Sequence, residues 1–233
     1  SDGVLGNGSW PSHGIALDGS NIVVTDPVAG TLWSIAANGV AKSLIGSGAA
    51  EGLVDGDALS ARFAGPSALA VDSSGVVYVA DAGNNAVRAI DRTGRVRTLF
   101  RASSGKASDV MSGLAWDGSG LLLIGDAFLS RVDAAGNRSI LSSYASAYRD
   151  GAVGQSAFAT PRQMVAVGSD VFVADAGNGL VRRIGANGVV TTLAGGNTQV
   201  QAADGQGFAA SFGRLWGIAA DPQGNLWLAD NAY

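Results

Sequence analysis

One run of residues returns almost unchanged within the 233-residue chain, and it constrains the fold more than any other feature. Val77-Tyr78-Val79-Ala80-Asp81-Ala82-Gly83-Asn84-Asn85-Ala86-Val87-Arg88 reappears as Val171-Phe172-Val173-Ala174-Asp175-Ala176-Gly177-Asn178-Gly179-Leu180-Val181-Arg182. Weaker copies end at Asp26, Asp126 and Asp230, so the five aspartates stand 55, 45, 49 and 55 residues apart. Self-similarity at such a period is the mark of a repeat architecture. Each copy reads as short apolar strands joined by Gly, Asn and Asp turns, without helical periodicity, so the chain is expected to be all-β. Four strands per period of this length are the blades of a β-propeller.

The expected organisation is a single propeller domain or segment over residues 1–233, with blades at about 1–50, 51–102, 103–145, 146–198 and 199–233. The third is the least regular. The fifth offers only two strands, giving about four and a half blades. From that count the natural protein is expected to continue beyond Tyr233, with the strand ending at Asp230 left as an open edge for self-association.

A second signature lies between the units. Asp2-Gly3, Asp55-Gly56, Asp150-Gly151 and Asp204-Gly205 each precede a strand set, and eight residues after each aspartate comes Trp10, Phe63, Phe158 or Phe212. This reads as a long connection pinned by a buried ring.

Together these residues resemble the NHL repeat in its bacterial form, best over 55–100 and 150–196. The resemblance implies a toroid of blades, usually six, used chiefly to bind other macromolecules. Some relatives bind RNA and a few are lyases. The lyases depend on histidines, and this chain has only His13, which counts against that activity.

Composition narrows the rest. Net charge is −4 and the pI about 4.8, with Lys42 and Lys106 the only lysines, so nucleic acid is a poor partner. No apolar run reaches 18 residues, so no membrane insertion is expected. Cysteine is absent. No catalytic residue, metal site or cofactor is expected. The nearest approach to a calcium loop, Asp55-Gly56-Asp57, lacks the closing Glu. Gly6-Asn7-Gly8 reads as a turn. Trp10, Trp33, Trp116, Trp216 and Trp227 read mostly as core, with one or two at a rim able to stack a sugar.

Asp26, Asp81, Asp126, Asp175 and Asp230 are expected to be structural, each carboxylate accepting from its own turn's N–H groups, with Gly83 and Gly177 supplying positive φ where needed. Alanine at Asp81 or Asp175 would then cost about 1–3 kcal/mol. Arg88 and Arg182, seven residues on, are placed to approach those carboxylates across a hairpin, or those of the next blade. The expected function is a non-catalytic scaffold, extracellular or periplasmic, that binds a protein, with carbohydrate the second choice. The contacts expected on its loop-bearing face are Arg62, Asn84, Asn85, Tyr148, Arg149, Arg162, Asn178 and Arg214, arginine and tyrosine being types that dominate interfaces. The alternative is a propeller lyase or a calcium-dependent lactonase-like hydrolase.

Overall fold

The computed structural model describes residues 14–45, 51–102, 111–125, 128–144, 148–196 and 203–231. The expectations for Asp126, Trp10, His13 and the first Asp-Gly loop fall outside these residues. The fold is all-β, in antiparallel four-stranded sheets of the β-propeller type. Blade one is β1 (Ile15–Asp18), β2 (Asn21–Asp26), β3 (Thr31–Ile35) and β4 (Ala41–Ile45); blade two is β5 (Pro66–Val71), β6 (Val77–Asp81), β7 (Ala86–Ile90) and β8 (Val96–Arg101). Blade three is β9 (Gly113–Trp116), β10 (Leu121–Ile124), β11 (Phe128–Val132) and β12 (Arg138–Tyr144), with the short β13 (Ala157–Phe158) added parallel to β12. Blade four is β14 (Pro161–Val167), β15 (Asp170–Asp175), β16 (Leu180–Ile184) and β17 (Val190–Gly195). A two-stranded sheet, β18 (Leu215–Ala220) and β19 (Leu226–Asp230), follows.

The chain divides into two compact units: Ser1–Ser112 with Ala134–Gly136, and Gly113–Asp133 with Asn137–Tyr233. In the first, Val23, Leu32 and Ile45 of blade one close with Leu69, Val77, Val79, Ile90 and Val96 of blade two around Phe63. In the second, Ala115, Leu122, Ile124 and Leu129 close with Met164, Val171, Val173, Ile184 and Val190 around Phe158. A sheet covered on both faces has no solvated side on which to alternate polar residues. That is why β6 and β7 are buried at every position and are apolar throughout except for Asp81 and Arg88, which pair with each other.

Several tight turns joining first to second or third to fourth strands are closed by aspartates, and those after β3 and β16 by Asn38 and Asn187. Asp72 Oδ1 accepts from the N–H groups of Ser74 and Val76, and Asp91 Oδ1 from those of Thr93 and Arg95. Asp221 does the same for Gln223 and Asn225. These are Asx turns, in which a carboxylate replaces a backbone acceptor. The Thr93 hydroxyl and the Arg95 N–H hold the Asp91 carboxyl below its ordinary value.

Candidate functional site

In each unit one long connection, the one before Phe63 or the one before Phe158, is tied to the blade that follows it by one arginine. In blade two Arg88 uses all five N–H donors. Nη1 donates to Asp81 Oδ2 (2.9 Å) and to the Arg62 carbonyl (2.8 Å). Nη2 donates to Asp55 Oδ1 and the Val54 carbonyl, both at 2.7 Å, and Nε to Asp55 Oδ1 at 3.2 Å. Its guanidinium lies 4.8 Å from the centroid of the Phe63 ring. The arginine, Asp81 and Phe63 are all buried.

Blade four repeats the arrangement. Arg182 Nη1 donates to Asp175 Oδ2 and the Ala157 carbonyl, and Nη2 to Asp150 Oδ1 and the Arg149 carbonyl, over Phe158 at 4.9 Å. Here Nε has no partner.

A β-bulge makes the second carboxylate's seat. Arg88 pairs with Thr98 and Val87 with Phe100, leaving Leu99 as the extra residue. The Thr98 N–H then leaves the ladder for Asp55 Oδ2 (2.9 Å), while its hydroxyl reaches Oδ1. Thr192 does the same for Asp150, with Leu193 the extra residue.

The repeated aspartates are therefore held differently from the expectation. Asp81 and Asp175 take no backbone N–H from their own turns, which supply only the side-chain amides of Asn84 and Asn178. Asp81 Oδ1 accepts from the Ala64 N–H (2.7 Å), Asp175 Oδ1 from that of Ala159 (2.8 Å). Asp26 does accept from its own turn, at Val28 and Ala29. Asp230 accepts from Gly213 and Arg214 across the sheet. Gly83 and Gly177 are also not at positive φ; Asn85 (51°) and Gly179 (60°) are. The two glycines serve close approach, since a Cβ there would stand 2.7 Å from the Ala64 carbonyl oxygen or 2.6 Å from that of Ala159.

Burial, the largest influence, pushes the Asp81 and Asp175 carboxyls up, against the pull of their donors. At Asp55 burial also pushes up, but Thr98 and Arg88 outweigh it and the carboxyl lies below its ordinary value; Asp150 matches it through Thr192 and Arg182. The two pairs thus answer pH in opposite senses. The contribution of Asp55 is present above the ordinary 3.8 and is lost as pH falls below it. That of Asp81 is full below 3.8 and declines as pH rises through its folded value. Asp55→Asn is accordingly expected to lower the melting temperature at pH 6, with the gap to the parent closing at pH 3. Melts recorded at both pH values check this; an equal gap at both contradicts it.

The candidate contacts separate into two groups. Asn84 Nδ2 donates to Asp81 and the Gly52 carbonyl, and Asn178 Nδ2 to Asp175, so both amides belong to the clasps. Asn85 occupies its left-handed turn position, and Arg62 gives its carbonyl to Arg88. Tyr148 is 45% exposed, beside Arg182, and Arg149 is exposed. Arg162 and Arg214 come together on Trp216, at 4.1 and 5.9 Å from its ring. Trp216 and Trp227 are exposed rather than core. Asp55 and Asp150 are readable only as loop signatures; their offsets to Arg88 and Arg182, 33 and 32 residues and so within one of each other, are the available signal.

Among the described residues no three His, Cys, Asp or Glu side chains gather where they could hold a metal ion. Both Asp55 oxygens accept from Arg88 or Thr98. Among the described residues no helix is long and apolar enough to cross a membrane.

No curated protein matches the sequence significantly. Solved structures match its fold. An auxiliary nutrient binding protein from Bacteroides ovatus is 19% identical with a TM-score of 0.69, the match covering 94% of this chain and 56% of that one. Virginiamycin B lyase from Staphylococcus aureus is 16% identical with a TM-score of 0.62, covering 94% and 62%. A chain of a nidogen–laminin complex is 15% identical with a TM-score of 0.61, covering 94% and 71%. The chain thus spans less than two thirds of the length of the first two. Residues 63–90, from the Phe63 ring through Asp81 and Arg88, match the NHL repeat model. With that repeat inside a series of four-stranded antiparallel sheets, the chain is a β-propeller that carries an NHL repeat at residues 63–90.

Proposed function

We propose that the protein is a non-catalytic scaffold, acting outside the cytoplasm, that binds a protein ligand on the side carrying the long connections. The observation behind this reading is a contrast within the second unit. The buried ionisable groups Arg182 and Asp175 are engaged in a structural clasp and offer no reactive group to a substrate. Outside it stand Tyr148, Arg149, Arg162, Arg214 and Trp216, exposed or half-buried, of the residue types that carry interface energy. The likeness to proteins named as nutrient binding is consistent with a binding role.

Photocrosslinking tests the reading without touching the clasp. A benzophenone amino acid at Tyr148 is expected to capture a discrete protein from an extract of the source organism. The same group at Ser169, in the turn between β14 and β15, is expected to capture none. Equal capture at both positions, or none at Tyr148, overturns the proposal.

A further inference from the structure

The start of the first strand carries the same irregularity in blade two, in blade four and in the two-stranded sheet. Pro66 pairs with Asp81 and Leu69 with Val79; Pro161 pairs with Asp175 and Met164 with Val173; Leu215 pairs with Asp230 and Gly217 with Ala229. The extra residues include Ser67, Arg162 and Trp216. A bulge breaks the alternation of a strand and re-aims the side chain it carries. In blade two the position is structural: the Ser67 hydroxyl donates to the Met111 carbonyl at 2.7 Å. In the second unit it is not.

There Arg162 lies over the Trp216 indole at 4.1 Å, and Arg214 approaches the same ring at 5.9 Å. Among the described residues neither guanidinium has a hydrogen bond or a carboxylate partner. Asp230, opposite Leu215 in the ladder, accepts with its carboxylate from the backbone N–H groups of Gly213 and Arg214. A guanidinium stacked on a ring engages its face, while its N–H donors lie in its plane and remain free for a carboxylate. The ring therefore fixes the orientation of the fork before any ligand arrives, which reduces the ordering cost of binding. The support beneath is also fixed. Gln163 Oε1 accepts from the Ile218 N–H at 3.0 Å, tying the β14 bulge to β18, and a Cβ on Gly217 would stand 3.1 Å from that oxygen.

We propose that the Arg162–Trp216–Arg214 stack recognises an acidic peptide segment, presenting one carboxylate to each guanidinium. This rests on the reading of this side as the protein-binding one and gives the ligand its chemistry. Two preoriented cations within a chain of net charge −4 suit a short acidic segment rather than a long polyanion. The ring that a sugar would stack on is already engaged by Arg162.

The test is a fluorescence-anisotropy titration at about 50 mM salt, where Debye screening is modest. The probe is a fluorescein-labelled Gly-Glu-Gly-Glu-Gly-Ser peptide. Saturable binding is expected, weakened about tenfold or more when both Glu are Gln, and by a similar factor in Arg162→Ala/Arg214→Ala. Arg162→Lys keeps the charge without the fork and is expected to fall between. Unchanged melts of the variants establish folding. No binding by the parent, equal binding of the Gln peptide, or equal binding by the double variant overturns the proposal. So does tighter binding of an oligogalacturonate or a mixed RNA than of the peptide. Capture at Tyr148 that persists while the peptide fails to bind removes this inference and leaves the scaffold reading standing.

Discussion

Arg88→Ala is expected to destabilise the first unit by about 3–5 kcal/mol, more than any other single truncation of a polar side chain in it. The substitution leaves Asp81, with no exposed side-chain surface, charged or protonated without its cationic partner. It also takes from the Val54 and Arg62 carbonyls one of their two donors, leaving each with only its backbone bridge to the other, and removes the tie that holds the connection in place. Removing one partner of a buried pair costs more than the pair itself contributes, because the survivor keeps its desolvation. For this reason the about 1–3 kcal/mol expected for alanine at Asp81 or Asp175 from turn hydrogen bonds alone understates the effect. At roughly 2–4 °C per kcal/mol for a chain of this size, the melting temperature should fall by about 10 °C. Arg182→Ala should cost somewhat less, since its Nε contributes no bond in the folded state. A urea midpoint for Arg88→Ala within about 1 kcal/mol of the parent would refute this account of the clasp.

Phe158→Ala is expected to cost the second unit a similar amount, about 3–5 kcal/mol, by a different route. The ring has no exposed surface and is surrounded by Leu122, Ile124, Leu129, Met164 and Val171. Its loss opens a cavity between two sheets whose backbones are fixed by their own ladders, so the site cannot collapse. It also removes the surface over which Arg182 is stacked. Trp216→Ala supplies the contrast. That ring also meets a guanidinium, but at the exposed surface, so stability should change by no more than about 0.5 kcal/mol. Thermal melts of the two variants decide the matter; near-equal shifts would contradict it.

Much of the fold was legible because period-2 strands and Gly-Asn turns are local signals. The bounds of β6, β7, β15 and β16 follow from runs such as Val77-Tyr78-Val79-Ala80-Asp81, whose apolar continuity requires burial on both faces. The eight-residue offset from Asp55 to Phe63 likewise announced a pinned ring. The clasp was only half visible. Proximity of Arg88 to Asp81 follows from a two-strand hairpin. Its second acceptor, Asp55, is brought in by a connection of irregular backbone, and no periodicity reports where such a segment turns. The same ignorance misdirected Asn84 and Asn178, which look like exposed turn amides until the neighbouring carboxylates are placed. Trp216 was read with the core because an apolar residue beside Leu215 and Ile218 fits a buried strand. The bulge that turns it outward leaves no trace in composition.

Each clasp closes on a single stretch of chain, from Gly52 to Thr98 in one case and from Arg149 to Thr192 in the other. A gene segment encoding such a stretch carries both ends of every bond it requires. When it is duplicated in tandem, the new copy needs no matching change elsewhere to satisfy its buried charges. Drift is then least restrained where the copies share a backbone irregularity but no clasp contact. Ser67, Arg162 and Trp216 stand at such a place, and there three copies of one ancestral position have come to carry a hydroxyl, a cation and an indole.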